Sequence, residues 1–530
     1  MSLKSLAYLI IFSLLVTHGF SQTKMTSYSG NIKGYSQAVG YSRLELILNN
    51  AVTGLSETHI IEIKKNGDFS IAFPANFPQE YLVRFGSFFG HVYLEPGDNL
   101  VSNFYFDVNN KLVRKFSGDR ALFNTQLVKT EAILLGNDHN KIYRDIADLN
   151  PEQYKAYYYQ LERMQIIKLD SLKKSGEIGQ KVYKHAARNL KYTTFCALIR
   201  YNSNRESAKR MMGQISFQDK KSVFEELPLD NKYFDFLAKI KYGDKASISH
   251  SEYFVFLGQL QTLDTIVVAA WRNVAPDLFN KIDIGKRLDS IELNTWNIIQ
   301  GQIKNGIAQL DSYRRARSSV LKEITKNKLE FELELIALHD ISQEISNKQV
   351  PLSADSLAKI KIKLRNKEFL VELEQLNNNI INRLDQNNLA TKSNVNETPK
   401  TIADSVFNKI ISKYKGKTVF VDFWATWCAP CIEGLQKMKS LKEELKERPV
   451  AFLYITNQTS SITAYNAMIS GIKGEHYRIT NDEYNWLAKK FNISGIPHYA
   501  LVDRNGLVVD ASYQWNDPEQ IKLRLLELMK

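Results

Sequence analysis

An apolar strand that runs directly into a Cys-x-x-C motif restricts the fold of this chain more than any other feature of its sequence. Residues 418–424 read Thr-Val-Phe-Val-Asp-Phe-Trp, and the motif, from Cys428 to Cys431, follows after three further residues. Strands that are apolar on both faces are typical of sheets that helices cover on both sides. We therefore predict an α/β domain in which residues 418–424 form a central strand.

The segments on either side of this strand alternate between helix and strand patterns. We predict a helix before the strand, and a strand, a helix, a hairpin and a final helix after it, over residues 402–413, 452–455, 481–491, 499–509 and 518–530. Residues 386–399 are polar and have little to bury, which is typical of a linker. The α/β domain is accordingly predicted over residues 400–530.

The spacing of the two motif cysteines favours thiol chemistry. Cys428 falls where strand gives way to helix, so its sulfur lies beside free backbone N–H groups and the positive helix end, which favour the thiolate. Cys431 follows on the same helical face, within reach of Cys428. Pro430 suits the first turn of a helix, where its missing N–H costs nothing. We predict that Cys428 is the nucleophile and Cys431 the resolving thiol.

The remaining sequence offers no competing metal or cofactor motif. No second Cys-x-x-C and no histidine pair completes a four-ligand zinc site, so no metal is predicted. No flavin or nicotinamide fingerprint is present, so no cofactor is predicted. The chain has three cysteines, too few for a disulfide framework. The third, Cys196, lies in an apolar helical stretch and is interpreted as a small buried side chain.

Residues 421–431, Val-Asp-Phe-Trp-Ala-Thr-Trp-Cys-Ala-Pro-Cys, followed later by Gly-Ile-Pro at 495–497, resemble the active-site segment of thioredoxins. They are closer still to the exported TlpA/ResA-like branch of that superfamily. The resemblance covers residues 400–530, roughly a quarter of the chain. It implies a thioredoxin fold and a thiol–disulfide oxidoreductase, that is, an enzyme.

The resemblance also assigns Asp422 to the position of the buried thioredoxin aspartate. A carboxylate enclosed by apolar neighbours is desolvated, and desolvation raises its pKa toward the range of a general base for Cys431. The alternative is an aspartate at a strand edge that faces water. The lysine that thioredoxins often place near this aspartate has no obvious match in residues 454–457.

Substrate contacts carried over from the family fall on Trp427, Ala429, Pro430, Ile496 and Pro497. The Ile496–Pro497 bond matches the family's cis-proline, and the Ile496 backbone is expected to pair with an extended substrate segment. Two departures are visible. Ala-Pro stands between the cysteines instead of the Gly-Pro of many thioredoxins. His498 replaces the Thr common after the proline, with either a tuning or a structural role.

The N-terminus predicts export. Lys4 precedes an apolar run over residues 6–16, and small residues at Gly19 and Ser21 precede a cleavage position, which is the pattern of a signal peptide over residues 1–21. An uncleaved anchor is the alternative. We expect a soluble protein of the periplasm or cell envelope.

Two further regions precede the linker. Residues 22–118 alternate apolar and polar positions between turn signals such as Glu95-Pro96-Gly97-Asp98, which predicts an antiparallel β-sandwich. The region resembles, more weakly, a domain of unknown function found ahead of exported TlpA-like domains. Residues 119–385 are predicted to be all-α, because apolar side chains recur at helical spacing, for example Leu357, Ile360, Leu364, Phe369, Leu373, Leu376, Ile380 and Leu384.

The net charge of +13 is spread along the chain rather than gathered in a tract, so no nucleic-acid partner is predicted. The leading functional prediction is an envelope disulfide reductase or isomerase-type enzyme that keeps cysteines of exported proteins reduced, with apocytochromes as one candidate substrate class. By analogy, its electrons come from a membrane thiol donor. A thiol peroxidase is the disfavoured alternative within redox chemistry. The alternative from another class is an interaction or ligand-binding protein in which the redox domain is auxiliary.

Overall fold

A computed structural model of the chain describes residues 24–529. The exceptions are residues 36–42, 87, 108–111, 135, 137, 216–223, 225, 226, 228, 230, 231, 264–280, 282–288, 290–310, 390–393, 400–402, 470, 494 and 513–517. The predicted signal peptide, residues 1–21, therefore lies outside the described part.

The first region of the structure is built of eight strands. They are β1 Lys24–Asn31, β2 Arg43–Asn50, β3 Leu55–Glu62, β4 Asp68–Ala75, β5 Gln79–Phe85, β6 Phe88–Leu94, β7 Asn99–Phe106 and β8 Leu112–Gly118. They form two four-stranded sheets, in the orders β4-β1-β7-β8 and β3-β2-β5-β6. Neighbouring strands are antiparallel except β1 and β7, which are parallel. Tyr28 and Leu100 of one sheet share a buried cluster with Leu46 and Val83 of the other.

Helices follow the strands. They are α1 Ala121–Leu134, α2 His139–Ile146, α3 Pro151–Lys174, α4 Gln180–Ile199, α5 Tyr201–Met211, α6 Ser251–Leu260, α7 Asp311–Ile324, α8 Glu330–Lys348, α9 Ala354–Lys363 and α10 Leu370–Leu389. Phe369, Leu373 and Ile380 of the predicted apolar stripe are buried in their common core. The stripe is therefore a core face, as its spacing predicts.

The C-terminal region alternates strands and helices, as predicted. Its strands are β9 Asn394–Val395, β10 Thr418–Phe423, β11 Val450–Thr456, β12 Glu475–Arg478, β13 His498–Val502 and β14 Val508–Ser512, and its helices are α11 Val406–Ser412, α12 Ala429–Glu444, α13 Ile462–Ile469, α14 Asn481–Lys490 and α15 Pro518–Leu528. The sheet order is β14-β13-β10-β11-β12-β9.

Strand β10 lies inside this sheet, parallel to β11 and antiparallel to β13. All six of its residues are buried. Val419, Val421 and Phe423 belong to the core on one face, whereas Phe420 belongs to the core on the other. The apolar sequence of this strand thus reflects burial on both faces, as predicted.

The predicted linker differs from the structure at both of its ends. Helix α10 continues to Leu389, and β9, Asn394–Val395, pairs in parallel with β12 of the C-terminal sheet. The Asn396 side chain continues this contact by donating to Glu475 Oε2 at 2.7 Å. An edge strand can consist largely of polar residues, because hydrogen bonds between backbone groups hold it in the sheet. Composition therefore did not reveal this strand.

Helix α12, which begins immediately after Cys428, also contacts the first region of the structure, strands β1–β8, which we call the β region. Lys437 Nζ lies 2.6 Å from Glu45 Oε1 and 2.7 Å from Glu433 Oε1, and Arg84 reaches the same Glu433 oxygen at 3.1 Å. This ion-pair network joins sheet β3-β2-β5-β6 to α12. In the described ranges, no helix combines the length and apolarity that crossing a membrane requires.

Candidate active site

Cys428 occupies the N-cap position of α12, at the junction of strand and helix that the sequence predicts. It forms a disulfide with Cys431, and the two Cα atoms are 5.2 Å apart. The Cys431 backbone N–H donates to Cys428 Sγ at 3.2 Å. A free N–H and the positive helix end at this sulfur favour a thiolate once the disulfide is reduced.

The two cysteines differ in exposure. Cys428 is 4% exposed and Cys431 is completely buried. Pro430 lies in the first turn of α12 with its side chain exposed, and Ala429 is the first residue of the helix. The geometry thus leaves Cys428 as the outer sulfur and Cys431 as the shielded one.

Asp422 points to the face of the sheet whose core contains the disulfide. Side chains alternate along a strand, and Phe420 and Trp424 both belong to the core cluster that contains Cys428 and Cys431. Asp422, between them, therefore points to the same face. It is 1% exposed, so the predicted burial is confirmed and the water-facing alternative is excluded.

The environment of Asp422 strongly favours its protonated form. Neither of its carboxylate oxygens has a hydrogen-bond partner among the described residues. Burial raises the pKa of Asp422 to about 8, against an opposing effect of the positive charge of Lys442. A carboxyl group with this pKa exchanges its proton near neutral pH, as a general base for a thiol requires.

Lys442 is the functional neighbour that the sequence analysis missed. It is 7% exposed, and burial lowers its pKa to about 8. Its Nζ donates to the Tyr454 hydroxyl at 3.1 Å and to the Lys473 carbonyl at 2.9 Å. The expected lysine is therefore present, but it comes from α12 instead of strand β11.

The spacing along α12 could have revealed Lys442. Eleven residues separate it from Cys431, or about three helical turns. Leu435 and Met438 of the same helix are also buried against the sheet. A lysine that continues the apolar stripe of a helix is expected to lie between the helix and the sheet rather than in solvent.

Aromatic residues enclose this acid–base pair. In the sheet, Asp422 lies between Tyr454 of β11 and Tyr499 of β13. The Tyr499 hydroxyl approaches α12 at Gly434, where a Cβ atom would come within 2.8 Å of it. Glycine is therefore required at this position for the close approach.

Two of the predicted substrate contacts, Trp427 and Ile496, line an open groove, whereas Ala429, Pro430 and Pro497 are not among its described lining residues. Trp427 is 48% exposed, and its Nε1 donates to Thr459 Oγ1 at 3.1 Å. Trp427 and Ile496 line the same groove, which has a volume of about 210 Å³. The Ile496–Pro497 peptide bond is cis, as predicted. The side chain of Ile496 packs against the cluster that contains both cysteines.

His498 lies on the opposite face of the sheet from Asp422. It pairs with Phe423, whose side chain belongs to the other core, and the two rings are 6.0 Å apart. Burial lowers the pKa of His498. This placement favours the structural role over tuning of the thiols.

Cys196 lies in the helical core, as predicted. It is 6% exposed, and burial raises the pKa of its thiol well above the ordinary value. A thiol in this state is a poor nucleophile.

Residues 407–523 match the Redoxin family. The C-terminal region is a redoxin domain. Among curated proteins, the thiol-disulfide oxidoreductase ResA of Bacillus thuringiensis subsp. konkukian is 28% identical over 137 residues, which cover 25% of this chain and 75% of that protein. ResA of Bacillus subtilis is 29% identical over 99 residues, which cover 19% of this chain and 54% of that protein.

Two solved structures are similar to about a fifth of this chain. The thioredoxin domain of a thiol-disulfide oxidoreductase from Bacteroides vulgatus is 19% identical, covering 22% of this chain and 84% of that one, with a TM-score of 0.20. A thioredoxin-family thiol:disulfide interchange protein from Chlorobium tepidum is 23% identical, covering 22% and 83%, with a TM-score of 0.20.

The family match and the named relatives support the predicted thioredoxin fold and disulfide oxidoreductase activity of the redoxin domain. The family match begins at residue 407. The family match therefore does not include strands β1–β8 or helices α1–α10.

Proposed function

We propose that this protein is an exported thiol–disulfide reductase that keeps cysteines of other exported proteins reduced. One observation carries the proposal. The outer sulfur of Cys428 receives an N–H from the start of α12, while the buried Asp422 points to the face of β10 whose core contains the shielded Cys431. This arrangement provides a nucleophile at the start of the helix, a more deeply buried resolving thiol and a base for the second thiol.

The reaction runs in two exchanges. The Cys428 thiolate attacks one sulfur of the substrate disulfide, which forms a mixed disulfide and releases the other substrate sulfur as a thiolate. Cys431 then loses its proton to Asp422 and attacks Cys428 Sγ. The mixed disulfide breaks, the second substrate sulfur leaves as a thiolate, and the Cys428–Cys431 disulfide remains. Two electrons have passed from the enzyme to the substrate.

Restoring the dithiol requires an electron donor. For an exported protein the donor is a membrane thiol protein, by the reverse exchange at Cys428. The signal pattern of residues 1–21 supports export to the periplasm or cell envelope, and apocytochromes are one class of substrate. The buried Asp422 and the Ala-Pro dipeptide support reduction rather than strong oxidation.

The upstream regions complete the proposed architecture. We assign residues 22–118 to a β-sandwich domain and residues 119–385 to an all-α domain, joined to the domain of residues 400–530 through the segment 386–399. The shared core of the two four-stranded sheets and the succession of ten described helices support this division.

A trapping experiment tests the function. Cys431→Ser in the full chain should accumulate mixed disulfides through Cys428, with insulin as the probe and with extracted envelope proteins as natural substrates. Cys196→Ala is the matched control, since its thiol is buried, and it should reduce insulin like the unmodified chain.

The trapped species also separate the two functional classes. Adducts that disappear in Cys428→Ser support the reductase. Capture of the same proteins by Cys428→Ser would instead indicate an interaction protein with an auxiliary redox domain. Alkylation of the reduced chain at mildly acidic pH should label Cys428 before Cys431.

A further inference from the structure

A polar cavity of about 200 Å³ lies between the β region and α10, outside the redoxin domain. Its walls come from strands β2, β3, β4 and β5 and from one side of the helix. Three polar side chains of α10, Glu372, Gln375 and Asn379, line it at helical spacing. The aromatic rings of Phe73 and Tyr81 form part of the opposite wall.

Amide side chains fix one carboxylate of this cavity. Asn50 Nδ2 donates to Glu372 Oε2 at 2.7 Å, and Asn76 Nδ2 donates to Glu372 Oε1 at 3.1 Å and to Gln375 Oε1 at 2.8 Å. Asn50 is itself held by the backbone N–H groups of Val52 and Thr53. The position of Glu372 is therefore determined by neutral donors, with its negative charge left uncompensated.

Other polar groups in the walls have no such partner. Gln79 is 3% exposed and Tyr81 is 1% exposed, and the side chains of both line the cavity without a hydrogen bond to any described residue. The Glu57 carboxylate likewise lines the cavity without a hydrogen bond to the described part of the chain. Buried polar groups are normally hydrogen-bonded, so Gln79 and Tyr81, with the partly exposed Glu57 beside them, indicate a ligand with complementary groups.

The charge of the cavity decides which ligand is complementary. None of the described residues that line it is Lys or Arg, and burial lowers the pKa of His59, which favours its neutral form. Burial, with a smaller contribution from charge repulsion by Glu372, raises the pKa of Glu57 to about 7. Burial also raises the pKa of Glu372. The two carboxyl groups thus share a site that excludes anions and lacks a cation.

We propose that this cavity binds a small organic ammonium compound, whose N–H groups donate to Glu57 and Glu372 and whose carbon chain lies against Phe73 and Tyr81. An ammonium group supplies three donors and the missing positive charge. Aromatic faces add a cation–π attraction. The volume suffices for roughly seven atoms the size of a water oxygen. This site is independent of the proposed disulfide chemistry.

Calorimetric titration of the full chain with n-butylamine tests the proposal, with n-butanol as the neutral control of the same length. The chain should bind butylamine and not butanol. Glu57→Gln should weaken butylamine binding at least about tenfold, the smallest loss expected for a charged hydrogen-bond partner. Tyr81→Phe should weaken it by a smaller factor and provides a second, conservative variant.

Matched variants locate the effect. Glu62→Gln alters another carboxylate of the same strand that is mostly exposed, and it should bind butylamine like the unmodified chain. Cys428→Ser should also bind it normally, so a failure of the redox proposal would leave this one standing. Equal binding of butanol, full binding by Glu57→Gln, binding of Ca²⁺ alone, or no binding of butylamine would each overturn the proposal.

Discussion

Two of the places where this chain buries carboxyl groups are built in opposite ways. In the redoxin domain, Asp422 has no hydrogen bond among the described residues and shares its surroundings with the buried Lys442. In the cavity beside α10, both oxygens of Glu372 accept amide hydrogen bonds, and the neighbouring group is a second carboxyl, Glu57. The first arrangement leaves a proton free to move, whereas the second holds charge in place.

The difference shows that burial alone does not assign a role to a carboxyl group. Burial raises the pKa of Asp422 to about 8 and that of Glu57 to about 7. What separates them is the partner. An acid beside a lysine with a similar pKa, facing the core that contains a reactive disulfide, suits proton transfer. An acid beside another acid, in a cavity with room for a ligand, suits cation binding.

The substitution Asp422→Asn should have the largest effect, and it tests whether Asp422 acts as a base. The variant keeps the shape of the side chain but removes the base, so attack by Cys428 should change little. Resolution of the mixed disulfide by Cys431 should slow by roughly 10²-fold at neutral pH, the usual worth of general-base catalysis. Single-turnover kinetics with rapid alkylation measure the two steps separately.

The pH dependence of the same variant is diagnostic. In the unmodified chain, resolution should accelerate as pH rises through about 8, because Asp422 loses its proton there. The defect of Asp422→Asn should shrink as pH approaches the thiol pKa of about 8.5, where solvent ionises Cys431 unaided. An unchanged resolution rate at neutral pH would make Asp422 merely structural.

Lys442→Met should have the next largest effect. Loss of the ammonium removes the charge that lowers the pKa of Asp422, so that pKa should rise above 8 and less base should be available at neutral pH. A rise of one unit slows resolution roughly tenfold and shifts its pH profile upward by the same unit. Lys439→Met alters an exposed lysine of the same helix and is the control. A slower rate without a shifted profile would indicate a packing role only.

The sequence predicted the parts of the redox site that lie close together along the chain. Cys428, Cys431 and Asp422 fall within a single strand–turn–helix segment, so their local pattern carries their geometry. Lys442 was not predicted, because the family usually places this lysine on the next strand, which here corresponds to residues 454–457. Its contact with Tyr454 depends on how α12 packs on the sheet, which local pattern does not specify.

The cavity was beyond prediction for a related reason. Its two carboxyl groups, Glu57 and Glu372, are separated by most of the β and helical regions. The α10 sequence was interpreted only through its apolar stripe, Leu373 and Ile380, which is buried as expected. Glu372, Gln375 and Asn379 form a polar stripe at helical spacing on the same helix, and that stripe is an equally regular sequence pattern. Without the packing of α10 on the strands, however, nothing connected it to Glu57.

The substitution Glu57→Gln tests the second carboxyl site through the free energy of unfolding. The folded pKa of Glu57, about 7, lies above the ordinary value of 4.5, so the fold favours the protonated form. Ionisation of Glu57 therefore costs stability progressively as pH rises from about 4.5 to about 7. The variant should gain about 1 kcal/mol above pH 7, after allowance for partial exposure, and nothing at pH 4. Urea unfolding at both pH values measures this, and an equal gain at pH 4 would contradict it.

Arg84→Ala should have the smallest effect, and it asks whether the two regions act independently. Arg84 contacts Glu433 of α12, but its side chain is 42% exposed, and exposed ion pairs contribute only about 0.2–1 kcal/mol. Lys437 still joins Glu45 to Glu433 after the substitution, so α12 should keep its position.

We expect Arg84→Ala to lose less than about 1 kcal/mol of stability in urea unfolding, and less still at high salt, because screening weakens the ion pair. The rate of Cys431 resolution should not change, because α12, which carries both cysteines at its start, keeps its position. Arg524→Ala, which removes a comparable surface pair with Glu527, is the control. A clear change in resolution for Arg84→Ala alone would show that the β region positions the helix that carries the reactive thiols.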